Sequence, residues 1–365
     1  MNRRLGGGVA VVLVISLGLA LASCRKPVKT PPDDPASSAP PTVEQEQLVL
    51  PSVTGDSGGA WAQIERVFPA SEDPTTCFFA DFHAQSGETT ASITGELVTA
   101  GEHNLLVWLD SQRLLVRSKY IVDFDNQGRV TQLEVPASSA RLSPDKRRIA
   151  YWGSGDEFGD GCGVAVMDLE GLSTAVISSF PSSKEAWGTA ESEIGVGPRL
   201  SWLGDSTLVF DGPFEKHPAI YEYDLASGEI SLFQDRAWAV QTSPQGKYAA
   251  FMLWDSWGSQ PDPNLYIRVL GRDGLTPVPI TCSPYDCSVY FDDASGTIAI
   301  AERSRMVLGV VRDSAFKILA SEELEGLALQ VRVEANQVSF VVLVKTSDGV
   351  PDALTERTLT TPGGG

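Results

Sequence analysis

The chain has 365 residues, 42% of them hydrophobic, and its 47 acidic side chains outnumber 28 basic ones for a formal charge of −19. A field of that sign repels phosphate backbones at short and intermediate range, which excludes a nucleic-acid role. The roughly 300 residues beyond position 60 are enough for one large all-β domain or two ordinary ones.

Arg3 and Arg4 give the chain a positive start, residues 9–20 form an apolar run, and Leu21-Ala22-Ser23-Cys24 follows directly. The run is too short for a comfortable span of roughly 20 residues, and a cysteine behind small residues is what lipoprotein signal peptidase recognises. Residues 1–23 are therefore expected to be removed as a signal peptide and Cys24 to carry lipid. Each buried acyl methylene contributes about 0.8 kcal/mol to anchoring on the extracytoplasmic side of a membrane. From 24 to 60 the composition turns to Pro, Ser, Asp, Thr and Gln, with Pro27, Pro31, Pro32, Pro35, Pro40, Pro41 and Pro51. Such a segment buries too little apolar surface to offset its ordering entropy and is expected to be a disordered tether, leaving residues 61–361 as the folded domain.

Four cysteines follow the lipid site: Cys77, Cys162, Cys282 and Cys287. An even count in an oxidising compartment suggests two disulfides. Cys282 and Cys287 flank the turn-forming Ser-Pro-Tyr-Asp and are the easiest pair, which leaves Cys77 with Cys162. The spacing is wrong for a zinc site, and no histidine lies nearby.

An internal repeat governs the rest. Arg141-Leu-Ser-Pro-Asp-Lys-Arg-Arg-Ile-Ala-Tyr-Trp152 is followed by Val164-Ala-Val-Met-Asp-Leu-Glu-Gly171. Leu200-Ser-Trp-Leu-Gly-Asp-Ser-Thr-Leu-Val-Phe210 and Thr242-Ser-Pro-Gln-Gly-Lys-Tyr-Ala-Ala-Phe251 repeat the pattern, and weaker copies lie at 107–116, 290–300 and 333–342. Period-2 alternation rich in aromatic and β-branched residues marks strands, and Gly, Asp, Asn and Pro mark turns. A four-stranded antiparallel blade cannot bury both of its faces alone; radial repetition lets each blade cover the next. The expected fold is an all-β propeller of six blades, with the segments at 61–68, 77–83 and 89–98 completing the last blade, or of seven if those segments make their own.

Ser143-Pro-Asp-Lys-Arg-Arg-Ile-Ala-Tyr with Val166-Met-Asp-Leu-Glu-Gly171 resembles the repeat of TolB-type β-propellers, Ser-Pro-Asp-Gly-Lys-x-Ile-Ala-Phe and then a strand ending Met-Asp-Leu-x-Gly. The resemblance covers roughly residues 100–345. It implies a propeller whose loops and channel serve binding, and it implies no enzyme. The family's turn glycine is kept at Gly246 and replaced by Lys146.

Chemistry belongs to sites rather than folds. Gly55-Asp-Ser57-Gly-Gly59 resembles the surroundings of a chymotrypsin-like nucleophile, but no histidine precedes His83 to serve it, and Ser57 lies in the tether. No catalytic set and no metal set emerges from His83, His103 and His217. Asp156, Glu157 and Asp160 share a glycine-rich loop that offers carboxylates to Ca²⁺, though without the twelve-residue calcium spacing. Trp187 and the Trp254/Trp257 pair lie on loops long for this repeat, beside charge, as binding hot spots do; packing between blades is the competing expectation for Trp254. The functional expectation is a membrane-anchored envelope lipoprotein whose propeller binds another protein or peptide. The alternative is an enzyme or a small-molecule or sugar binder using the central channel.

Overall fold

The computed structural model describes residues 52–54, 59–69, 77–99, 105–136, 139–154, 158, 161–181, 199–212, 218–254, 261–281, 287–302, 304–345 and 351–361. Among them the strands fall into seven antiparallel sheets. Blade one is β1 (Val53–Thr54), β2 (Trp61–Pro69), β3 (Cys77–Ser86) and β4 (Thr89–Thr99); blade two is β5 (Leu106–Trp108), β6 (Arg113–Val116), β7 (Tyr120–Asp123) and β8 (Arg129–Gln132). Blade three is β9 (Arg141–Leu142), β10 (Arg148–Ser154), β11 (Gly161–Asp168) and β12 (Thr174–Pro181); blade four is β13 (Leu200–Leu203), β14 (Thr207–Asp211), β15 (Ala219–Asp224) and β16 (Ile230–Asp235). Blade five is β17 (Ala237–Thr242), β18 (Tyr248–Trp254), β19 (Pro261–Val269) and β20 (Thr276–Thr281); blade six is β21 (Ser288–Asp292), β22 (Thr297–Ala301), β23 (Arg305–Arg312) and β24 (Ala315–Glu323). Blade seven has three described strands, β25 (Gly326–Glu334), β26 (Gln337–Lys345) and β27 (Pro351–Thr360).

The six-blade expectation is corrected to seven. The N-terminal strands pair with one another over long registers, Ala62 opposite Ala84 and Phe82 opposite Ile93, and so build a sheet of their own instead of completing the last one. β1 also lies inside the stretch read as tether, with Val53 opposite Ala62.

The alternation legible in the repeats is what packs the blades. Ile149 and Tyr151 of β10 enter the core between blades two and three, while Ala150 and Trp152 enter the core between blades three and four. β18 repeats the device, with Ala249 and Phe251 facing blade four and Ala250 and Met252 facing blade six. Hydrophobic burial is thus divided into slabs between neighbouring sheets, and Val341 of blade seven closes the ring by packing with blade-one residues such as Ile64.

The Ser-Pro turn owes its recurrence to hydrogen bonding. The Ser143 hydroxyl accepts from the Arg148 amide at 2.9 Å, and the Ser243 hydroxyl accepts from the Tyr248 amide at the same distance. The turn needs a left-handed residue: Gly246 supplies it at φ 71°, and Lys146 adopts φ 59° in its place. Lys146 Nζ donates to the Trp108 carbonyl of blade two at 2.8 Å, a bond that offsets the backbone strain glycine would avoid.

Candidate binding site

The first strands of blades three to seven lie innermost. The last strands β8, β16 and β24 are largely exposed, whereas β9, β13, β17, β21 and β25 neighbour one another in succession around the axis. Arg141 faces Ala150, Ser201 faces Val209, Gln241 faces Ala250 and Tyr290 faces Ala299, so these four side chains occupy one register position in blades three to six. The residues before them, Ala140, Leu200, Val240 and Val289, are buried between blades, while Arg141, Ser201, Gln241 and Tyr290 are only partly covered. They form a ring of equivalent inner-strand positions whose side chains face the next blade: the Ser201 hydroxyl accepts from the Thr242 amide at 3.0 Å, and Tyr290 packs against the core of blades six and seven.

Arg199, one step before β13, joins this ring. Its guanidinium donates through Nη1 to the Cys287 carbonyl at 3.3 Å, tying blade four to the residue that precedes blade six. The Gln241 amide fills the gap between them: Nε2 donates to the Cys287 carbonyl at 3.4 Å and Oε1 accepts from the Val289 amide at 2.8 Å. Burial holds the Tyr290 hydroxyl above its ordinary range, although the Ser288 hydrogen bond and the Arg141 and Arg199 charges oppose it. The Tyr290 ring itself packs against the core of blades six and seven. Burial likewise depresses Arg199 against the pull of Asp211 and Tyr290.

Asp211 ends β14 behind this ring and is 4% exposed. Its carboxylate accepts the amides of Arg199 at 2.9 Å, Ala239 at 3.0 Å and Val240 at 3.4 Å. Burial pushes it up to about 6 despite those bonds and the Arg199 charge.

The residues singled out from sequence meet this site only in part. Trp187, Trp257, Asp156, Glu157, Asp160, Cys282 and Cys24 lie outside the described residues. Trp254 is half-buried at the end of β18, edge-on to Trp238 with ring centroids 6.2 Å apart, and packs into the core of blades five and six. Cys287 is 3% exposed and disulfide-bonded. Cys77 begins β3 of blade one, and Cys162 stands on β11 of blade three. His83 sits on blade one, hydrogen-bonded to Ser92 at 2.6 Å and tilted against Trp61, far in topology from the axial ring. Among the described residues no three His, Cys, Asp or Glu side chains gather in a metal-binding group.

Seven successive antiparallel sheets, each packed against the next, define a β-propeller. No family model matches the sequence, and no curated protein matches it. Among solved structures, the chain is similar to TolB from Acinetobacter baumannii, at 15% identity over 82% of this chain and 79% of that one with a TM-score of 0.41. It is also similar to the β-propeller domain of the trilobed protease from Pyrococcus furiosus, at 11% identity over 86% and 93% of the two chains with a TM-score of 0.45. An oligogalacturonate lyase in complex with manganese is similar at 13% identity over 85% of each chain, with a TM-score of 0.43. None of these similarities bears on what the axial residues bind.

Proposed function

We propose that the protein is an extracytoplasmic lipoprotein, anchored through Cys24 and a Pro-rich tether, whose propeller is a non-catalytic platform for another envelope protein or peptide engaged at the axial channel. The observation that supports this reading is the gathering of polar groups from several blades near the inner strands, with Arg199 of blade four donating to the Cys287 carbonyl ahead of blade six and the charges of Arg141 and Arg199 acting on Tyr290. Cationic and phenolic side chains of this kind serve recognition in many binding surfaces. The anchor rests on the charged start, the short apolar run and the Leu-Ala-Ser-Cys sequence.

In-cell crosslinking of the full-length protein, followed by mass spectrometry, tests the platform. One dominant adduct that weakens on Arg141→Gln is expected. Recovery of no stoichiometric partner, while control lipoproteins recover theirs, would sink the reading. Cys24→Ser is expected to move the protein from the membrane to the soluble fraction. A second reading, a small-molecule or sugar ligand in the channel, is favoured by the same polar groups.

A further inference from the structure

We infer that the outer edge of blade four, residues 229–232, accepts an extended segment of a partner protein as a fifth strand, and that this segment carries apolar side chains on one face and Lys or Arg on the other. The edge belongs to β16, the last strand of its blade, so its occupancy is independent of what the axial residues bind.

The hairpin of β15 and β16 has two unlike faces. Tyr221 pairs with Leu232 and Tyr223 with Ile230; the two tyrosines pack against the core of blades three and four, while Ile230 and Leu232 stay 42% and 56% exposed at its rim. On the opposite face Glu222 pairs with Ser231, and alternation along the two strands puts Asp224 and Glu229 on that same side. Residues 219–235 hold Glu222, Asp224, Glu229 and Asp235 and no basic residue. The Asp224 amide donates to the Glu229 carbonyl at 3.0 Å, so the ladder turns the backbone groups of Ile230 and Leu232 away from β15 and toward an incoming strand. Past Leu232 the edge closes, because the Phe233 carbonyl accepts from Arg268 of blade five at 3.1 Å.

Open edges invite pairing, and other blades guard theirs. β20 carries Pro277 and Pro279 and lies against β24, which carries Lys317, and β8 is only four residues long and starts with Arg129. β16 reads Ile-Ser-Leu-Phe-Gln-Asp, with neither a proline nor a cation. An added strand would cover Ile230 and Leu232 with alternate side chains and set the others beside Glu222, Asp224 and Glu229. Charge decides the occupant. A second copy of this chain would bring the same carboxylates to the same edge, whereas a cationic strand meets them in attraction.

The test is fluorescence-anisotropy titration of the purified full-length chain with three labelled peptides: acetyl-Lys-Val-Lys-Val-Lys-Val-amide, its Glu-Val counterpart, and acetyl-Lys-Lys-Lys-Val-Val-Val-amide, which has the same composition without the alternation. The alternating cationic peptide is expected to bind at least about 10-fold more tightly than either control, to weaken as NaCl is raised, and to slow hydrogen exchange at Ile230 and Leu232. Leu232→Lys, a change at an exposed position, is expected to weaken it about 10-fold, and so is Leu232→Pro, which removes an amide that β15 does not use. Arg141→Gln is expected to leave peptide binding unchanged. No binding of the alternating peptide, equal binding of a control, full binding by Leu232→Lys, unchanged exchange at residues 229–232, or loss of binding in Arg141→Gln would each overturn the inference, the last by moving the site to the axis. A concentration-dependent dimer that Leu232→Lys dissolves would overturn it as well, by seating a second copy on the edge.

Discussion

The Asp211 carboxylate accepts the amide hydrogen of Ala239 across the boundary between blades four and five, Oδ2 to nitrogen 3.0 Å, at a point where Ala239 stands in the left-handed region with φ 59°. The bond explains how a non-glycine residue is held there. β17 shifts register between Trp238 and Gln241, and the bulge turns the amides of Ala239 and Val240 onto one carboxylate. Bulges of this kind re-aim the next side chain, here Gln241 toward β21. Asp211→Ala would leave three amides facing an apolar gap, each costing about 1 kcal/mol or more. A loss of about 3 kcal/mol in urea unfolding is expected, together with weaker binding of any channel ligand; an unchanged midpoint would show that the bulge needs no clasp.

The same carboxylate makes stability depend on pH in an unusual direction. Burial raises Asp211 to about 6 from an ordinary 3.8. The folded state therefore binds a proton more readily than the unfolded chain does, so ionisation costs stability above pH 6, and the cost is relieved as pH falls from 6 toward 4. The span corresponds to about 3 kcal/mol. The stability difference between wild type and Asp211→Asn, measured by urea unfolding from pH 4.5 to 7.5, is expected to shift in favour of wild type as pH falls. A difference that stays constant over that range would mean that Asp211 does not titrate there.

Glu96 behaves oppositely and clasps blades one and two. Its carboxylate accepts from Arg117 and from the Tyr120 hydroxyl, each at 2.5 Å, and from Lys119 at 3.2 Å. Burial alone would raise it, but the hydrogen bonds of Tyr120 and Lys119 and the charges of Lys119 and Arg117 bring it below its ordinary value. Its contribution is therefore present above the unfolded carboxylate range and lost as pH falls through the lowered folded value. Arg117 has only 6% of its side chain exposed, so Glu96→Ala removes a carboxylate partner from a buried charge and is expected to cost about 3 kcal/mol. Tyr120→Phe is expected to cost about 1 kcal/mol, and a double-mutant cycle showing no coupling between the two would dissolve the clasp.

The propeller was legible because its packing rule is local. A strand that reads Ile149, Ala150, Tyr151, Trp152 declares two buried faces, and the Ser-Pro turn declares a tight hairpin through the Ser143 hydroxyl. The blade count was less legible, since 61–98 carries no Ser-Pro turn, and only the long pairings of β2, β3 and β4 show that it closes on itself. The axial site was hidden for another reason. Arg141 and Tyr290 are 149 positions apart in the chain, and only closure of the ring puts them in one field. A signal did exist, in the polar residue two places before the turn serine, at Arg141 after Ala140 and at Gln241 after Val240. Aromatic residues beside charge drew attention to Trp254 instead, whose ring belongs to a core.

Close packing in the third strands carries its own test at Gly309. A Cβ there would lie 2.3 Å from the Phe316 ring and 2.8 Å from the Lys317 carbonyl, at the register shift between Leu308 and Gly309. The ring can swing only by leaving the core of blades five and six, and the carbonyl belongs to β24 backbone. Gly309→Ala is expected to cost about 2 kcal/mol, the usual penalty of overpacking, although alanine has the better intrinsic strand entropy. Coupling Gly309→Ala with Phe316→Leu is expected to recover part of that loss, because the smaller side chain vacates the space the methyl group needs. A double variant no more stable than the sum of its parts would place the strain in the Lys317 backbone rather than in the ring.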